Sequence, residues 1–326
     1  DAETLAGGTA YLKIQMIGFT FMALTSTITA TLRGVGNSRT ALIYNLTANI
    51  VNVIFNYLFI EGHFGFPRME VAGASLATII GQFVAFVFAF IYIMKGDQYL
   101  HLRFRDGFKP DSHSLKQIVT IGTPAMFEQL LMRAGVIIYV KTIAKLGTVA
   151  YAVHQVCMNI QALSFMNGQG FAVSATSLTG QSLGKNRPDM AHAYNHRTRR
   201  LGMSVSIILG IIFIFGGGKI VSLYNDDPDI ISQGARIMMF VGFTQPLQSS
   251  QFILSGALRG AGDTRATAII TFITVLLIRP FLAMYLINQW NMGLEGAWFA
   301  LIADQALRSA LVLLRYNSGK WRNIKV

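Results

Sequence analysis

Charged residues are scarce in this sequence: Asp, Glu, Lys and Arg make up 13% of its 326 residues, about half the share of a soluble domain. That scarcity excludes an ordinary solvated globule. With 52% hydrophobic residues and a mean hydropathy of +0.47, the composition is that of a membrane protein. A single cysteine, Cys157, excludes an intramolecular disulfide, and inside an apolar run it reads as a small packing residue. Walker A, GxSxG and HExxH motifs and paired catalytic carboxylates are missing, so transport driven by the chain's own ATP hydrolysis, and enzymatic chemistry, lack the residues they need. Short segments of alternating apolar and polar residues, the mark of a membrane barrel, are missing too, which leaves helices as the way across lipid. The start, "DAETLAGGTAY", has neither a basic stretch nor an initiating Met, so no cleavable signal peptide is visible and the chain reads as a fragment.

Apolar runs of about 20 residues, enough to cross a bilayer, recur at 9–31, 40–60, 72–94, 118–144, 148–178, 201–222, 232–256, 266–288 and 294–316. The expected fold is therefore an all-α polytopic membrane bundle of nine transmembrane helices. Net charge is +12, and the placement of the cations decides its meaning. Most fall in alternate connections: Arg33 and Arg39; Lys95, Arg103, Arg105, Lys109 and Lys116; Lys185, Arg187, Arg197, Arg199 and Arg200; Arg259 and Arg265; and the tail Arg315, Lys320, Arg322 and Lys325. This positive-inside bias puts the C-terminus in the cytoplasm and residue 1 outside. It also argues against nucleic acid as a partner, which would call for a basic stripe on one soluble surface.

The chain repeats itself. "LRGVGNSRTALI" at 32–43 returns as "LRGAGDTRATAI" at 258–269, "GFT" at 18–20 returns at 242–244, and "VAGASLA" at 71–77 is answered by "LEGAWFA" at 294–300. A whole supersecondary unit is duplicated. The second copy has three spans ahead of its matched region and the first has none, so the parent is expected to hold twelve spans in two parallel sixes, with three helices preceding residue 1. In the repeated loops, Gly34 and Gly36, and Gly260 and Gly262, allow a tight turn between helices. Asn37 and Asp263 are expected to cap the next helix, and Arg33 and Arg259 to anchor the loops at the interface, where they meet lipid phosphates.

Ionisable groups inside a span are costly and mark function by default. Glu128 lies about ten residues into the 118–144 run, near mid-depth at 1.5 Å per residue, just after the helix-perturbing Pro124. A proton or a cation could each neutralise a carboxylate there, making it a coupling element; the structural alternative is an ion pair, with Arg133 the nearest candidate. Asp304 and Arg308 stand at i and i+4 and read as a mutual structural pair. Arg279 has no partner along its own helix. Asn45, Asn49, Asn52 and Asn56 form one stripe on the second span, which must face protein or a watery cavity; Gln245 and Gln248, and Gln155 and Asn159, make shorter stripes expected to line a cavity or bind substrate. His154 reads as a hydrogen-bonded packing residue, and His192 and His196 as members of a solvated basic loop with no metal.

The twin LRGxGxxR loops, "IGTPAMFEQLL" at 121–131 and "LTGQSLGKNRPDMA" at 178–191 together resemble the multidrug and toxic compound extrusion (MATE) family over essentially the whole chain, starting near the fourth of the usual twelve helices. The resemblance implies the second half of an N-lobe at 1–97, an inter-lobe linker at 98–117, a C-lobe at 118–316 and a cytoplasmic tail at 317–326. It implies a multi-pass protein of the cell (inner) membrane, monomeric, without cofactor or metal, that exports small organic, often cationic, substrates in exchange for H⁺ or Na⁺. Family members place a functional Glu at the position of Glu128. Many carry an Asn-xxx-Asp site where this chain has Asn52 and Asn56, and some carry an Asp near Gln248; the amides here put ionic roles at those positions in question. A flippase of lipid-linked saccharides is the alternative, though it calls for a strongly cationic cavity, and only Arg133, Arg279 and Arg308 are intramembrane; an intramembrane enzyme is a distant third.

Overall fold

The computed structural model describes residues 2–96, 100–103, 105 and 111–324. Among them every regular element is helical: α1 (Ala2–Gly34), α2 (Ser38–Glu61), α3 (Glu70–Lys95), α4 (Ser112–Ala144), α5 (Thr148–Gly184), α6 (Pro188–Ser222), α7 (Pro228–Gly260), α8 (Thr264–Thr271), a π-helical stretch (Phe272–Ile278), α9 (Arg279–Asn288) and α10 (Gly293–Asn317), with short 3-10 turns besides. All nine apolar runs lie in these helices. Taking α8 to α9 as one segment, six are long and apolar enough to cross a membrane: α1, α2, α3, α6, α8–α9 and α10. The other three, α4, α5 and α7, are at least as long as most of these, at 33, 37 and 33 residues, and more polar.

Two helix starts differ from expectation. α4 begins at Ser112 because Asp111 caps it, its carboxylate accepting from the backbone N–H of His113 (3.3 Å) and Ser114 (2.9 Å). The expected linker therefore ends there; its residues 98, 99, 104 and 106–110, like Lys325 of the tail, lie outside the described residues. α6 begins at Pro188, which sits in its first turn with a φ already suited to a helix, so His192 and His196 are exposed on a helical extension rather than in a loop. Pro280 has no N–H and its ring crowds the preceding turn; the helix widens to π geometry directly ahead of it.

The chain forms two compact units, Asp1–Lys109 and Pro110–Val326. In the first, α3 packs against both α1 and α2, over a core of Leu32, Ala41, Tyr44, Ala48, Ala85 and Ala89. In the second, α5, α6 and α7 pack together, α10 lies on α7 and α9, and α4 lies on the α8–α9 segment. The run Gln248–Leu258 of α7 is buried on every side. There the helices nearly touch: a Cβ on Gly256 would stand 2.3 Å from the carbonyl oxygen of Ala172, and one on Gly260 2.3 Å from that of Thr176. This is the small-xxx-small approach of membrane helices.

The repeated loops share their backbone wiring. Asn37 N–H bonds the Leu32 carbonyl (2.8 Å) and Asp263 N–H that of Leu258 (2.9 Å), closing a Schellman-type turn, with Gly36 at φ +94° and Gly262 at φ +80°. A third loop, between α5 and α6, repeats it: Arg187 N–H bonds the Ser182 carbonyl at 2.9 Å, with Asn186 at φ +55° in place of glycine. Gly260 is helical, and its smallness serves the α5 contact rather than the turn, while Gly34 has nothing within 4 Å of where a Cβ would stand. Asn37 caps α2 by accepting from Thr40 N–H at 3.2 Å. Asp263 makes no side-chain cap; as a carboxylate it pairs instead with Arg315 of α10 at 2.7 Å.

Candidate functional site

α4, α7, α8 and α10 of the second unit bring the ionisable interior together. Glu128 is buried, with 7% of its surface exposed. Its Oε2 accepts a hydrogen bond from Thr267 Oγ1 at 2.8 Å. Its Oε1 stands 3.9 Å from Arg259 Nη1, an ion pair too long to be a hydrogen bond. The partner is thus Arg259, at the end of α7, and not Arg133, which is exposed. Depth differs from expectation as well. Thr264 Oγ1 donates to the Ile121 carbonyl at 3.1 Å, which sets residue 121 level with the start of α8; seven residues further, Glu128 is about 10 Å inside that level, toward the end of the second unit that bears its own LRGxGxxR loop.

A second buried charge lies beside it. Asp304 is fully buried, and its Oδ2 accepts from Arg308 at 2.8 Å and from Arg279 through Nε at 3.0 Å and through Nη2. The i, i+4 pair expected from sequence is therefore a triad, and Arg279 finds its partner one helix away. The Arg279 guanidinium also lies over the Tyr139 ring, 5.7 Å from its centroid.

A polar chain joins the triad to Glu128. Arg308 Nη2 donates to Gln305 Oε1 (3.1 Å), Gln305 Nε2 to Gln251 Oε1 (3.5 Å), and Gln251 Nε2 to Ser255 Oγ (3.2 Å). The Ser255 carbonyl in turn accepts from Arg259 Nε at 3.3 Å. Sequence reasoning missed Gln251, Gln305 and Thr267 as members of this set. Two glutamines within apolar runs were the available signal, since a buried amide must find partners.

The other candidate residues fall in separate places. Gln245 is fully buried, bonded to Ser164 of α5 and to the Val241 carbonyl. Gln248, with 3% of its surface exposed, has neither amide atom paired. Gln155 and Asn159 are exposed on α5. The asparagine stripe belongs to the first unit: Asn45 donates to the Ala41 carbonyl (2.7 Å), Asn52 to Thr78 (3.4 Å) and Asn56 to Asn52 (3.0 Å), while Asn49 is exposed. His154 is buried between the Tyr139 and Trp298 rings with Nδ1 unpaired, so it packs without the hydrogen bond expected there.

Comparison with known proteins adds a lineage to this geometry. The sequence model of the MatE family matches residues 1–58 and 124–284. The chain is 31% identical over 322 residues to the probable multidrug resistance protein NorM of Thermotoga maritima, covering 98% of this chain and 69% of that protein. Its fold matches a multidrug resistance MATE family transporter of the MOP superfamily in an outward-facing conformation (TM-score 0.86, 19% identity, 95% of this chain and 70% of the other). It also matches a MOP superfamily transporter from Pyrococcus furiosus (TM-score 0.87, 19% identity, 97% and 70%).

Proposed function

The chain belongs to the MatE family of multidrug efflux transporters, and on that premise we propose that it serves as a secondary antiporter, exporting organic cations in exchange for H⁺ or Na⁺ through Glu128. The observation that carries this reading is the state of the Glu128 carboxylate: buried, with one oxygen held by Thr267 and the other facing only a distant guanidinium. A carboxylate held this loosely leaves an oxygen open to a proton or a small cation, and an organic cation competes for the same group, so one group can alternate between ion and substrate. The amides of Gln245, Gln248, Gln155 and Asn159 serve in this reading as polar lining within the second unit, and the stripe of Asn45, Asn49, Asn52 and Asn56 within the first.

The flippase alternative calls for a strongly cationic cavity, whereas of the three intramembrane arginines Arg279 and Arg308 are both engaged by Asp304, which leaves Arg133. Relatives named as multidrug transporters agree with a role other than enzymatic. The test is uptake of a fluorescent organic cation into proteoliposomes under a pH gradient and, separately, under a sodium gradient. Glu128→Gln should abolish gradient-driven transport while leaving expression and melting intact. Normal transport by that variant would remove Glu128 from the mechanism.

A further inference from the structure

Resting on the reading of Glu128 as the coupling carboxylate, we propose that Arg259 is a tethered counter-cation that occupies Glu128 when the coupling ion is absent and competes with that ion for it. Elsewhere in this unit, arginines and aspartates that serve structure are in full contact: Arg315 and Asp263 at 2.7 Å, Arg308 and Asp304 at 2.8 Å. The Arg259–Glu128 distance of 3.9 Å is the loose one. It leaves Coulomb attraction without a hydrogen bond to hold it.

The two guanidinium groups near Glu128 differ in their freedom. Arg308, from α10, is tied to Asp304, Gln305 and the Met132 sulfur. Arg259, from the penultimate position of α7, keeps 27% of its side chain exposed and, among the described residues, is hydrogen-bonded through Nε to its own helix. It can swing toward water beside the Gly262 turn; Arg308 cannot.

Charge balance supplies the driving force. Glu128 and Asp304 against Arg279 and Arg308 make a neutral buried set, and Arg259 adds one positive charge. A proton or Na⁺ arriving at Glu128 leaves three guanidinium groups against Asp304 alone, and Arg259, with 27% of its side chain exposed, is the one that can relieve the repulsion by moving out, so ion binding expels the arginine and ion release draws it back. The carboxylate is then never bare between ions.

The test follows the Glu128 carboxyl by its protonated C=O infrared band, titrated in the reconstituted protein without and with sodium. The band is assigned by its loss in Glu128→Gln. Arg259→Gln should raise the proton affinity of Glu128, and its affinity for sodium wherever sodium displaces the proton, by about tenfold, the lower end of what an opposite charge within 4–6 Å produces. Arg259→Lys, which keeps the charge, should titrate like the wild type. Arg259→Met, a second neutral side chain of similar length, should repeat the shift if the Gln variant does not fold. An unchanged titration in the neutral variants overturns the role of Arg259 alone. Persistence of the titrating band and of coupled transport in Glu128→Gln overturns the reading of Glu128 on which it rests.

Discussion

Replacing Asp304 with asparagine isolates the energetics of the buried triad. The carboxylate is fully buried and its Oδ2 meets two guanidinium groups whose side chains are 8% and 5% exposed. Asparagine keeps the shape and one acceptor oxygen but removes the charge, leaving two cations near one another with no anion between them. Breaking a buried ion pair from one side costs about 3–5 kcal/mol, and here two pairs break at once, so about 4 kcal/mol is a conservative expectation for the second unit. At roughly 2–4 °C per kcal/mol for a unit of this size, the melting midpoint in detergent should fall by about 10 °C. Arg308→Met is the control. It leaves Arg279 and Asp304 as a neutral pair, so it should destabilise distinctly less than Asp304→Asn even though it deletes the larger side chain. Thermal melting of both variants, with ligand-free protein at one pH, checks the order. Equal midpoints for wild type and Asp304→Asn, or a larger loss in Arg308→Met, would refute the charge argument.

The two glycines that open the repeated loops should respond oppositely to a methyl group: Gly260→Ala collides with the Thr176 backbone and should cost about 1–3 kcal/mol, whereas Gly34→Ala meets nothing and should be neutral or stabilising by up to about 1 kcal/mol, both read by melting. Gly36→Ala and Gly262→Ala should each destabilise by about 1–2 kcal/mol, because both sit at positive φ. At the start of α4, hydrogen bonds from Ser114 and His113 hold the Asp111 carboxyl below its usual range. A carboxylate so lowered contributes stability above its unfolded pKa and loses it as pH falls through the folded one. The melting difference between wild type and Asp111→Ala should therefore be full at neutral pH and shrink below about pH 4.

What was legible in the sequence was whatever a single helix or loop determines. Apolar runs marked the spans because length and hydropathy are local quantities. The duplicated loops announced their turns through Gly36 and Gly262, since positive φ is paid for locally in glycine. The start of α4 was hidden because Ser112 to Gln117 are polar apart from Leu115, and a helical stretch outside an apolar run has no apolar pattern to betray it. The kinship of the third loop's turn with the other two escaped notice because Asn186 does the work of a glycine there. Pairings across helices were not legible at all: Arg279 reaches Asp304, and Arg259 rather than Arg133 reaches Glu128, through contacts that depend on how α7, α9 and α10 cross. Sequence spacing could place these charges on helices but not against one another.

The duplication itself shows how scaffold and chemistry part company. Both copies of the loop keep the same backbone turn, which geometry demands wherever two helices of this kind meet. Around that turn the side chains have diverged in function. In the first copy Asn37 caps α2 and also donates to the Tyr92 hydroxyl at 2.7 Å. In the second copy the matching Asp263 carries a charge, binds Arg315, and leaves α8 without a side-chain cap. The helix tolerates that loss because α8 is anchored further along, by Thr264 to Ile121 and by Thr267 to Glu128. The cap is thus replaced by contacts that run through Glu128, so the register of α8 against α4 depends on whether Glu128 can accept from Thr267. On the proposed mechanism, a proton or cation taken up at Glu128 acts on that contact directly. Thr267→Val should therefore loosen α8 in every state and blunt the difference in hydrogen exchange between ion-free and ion-loaded protein, and an undiminished difference would show that Glu128 signals by another route.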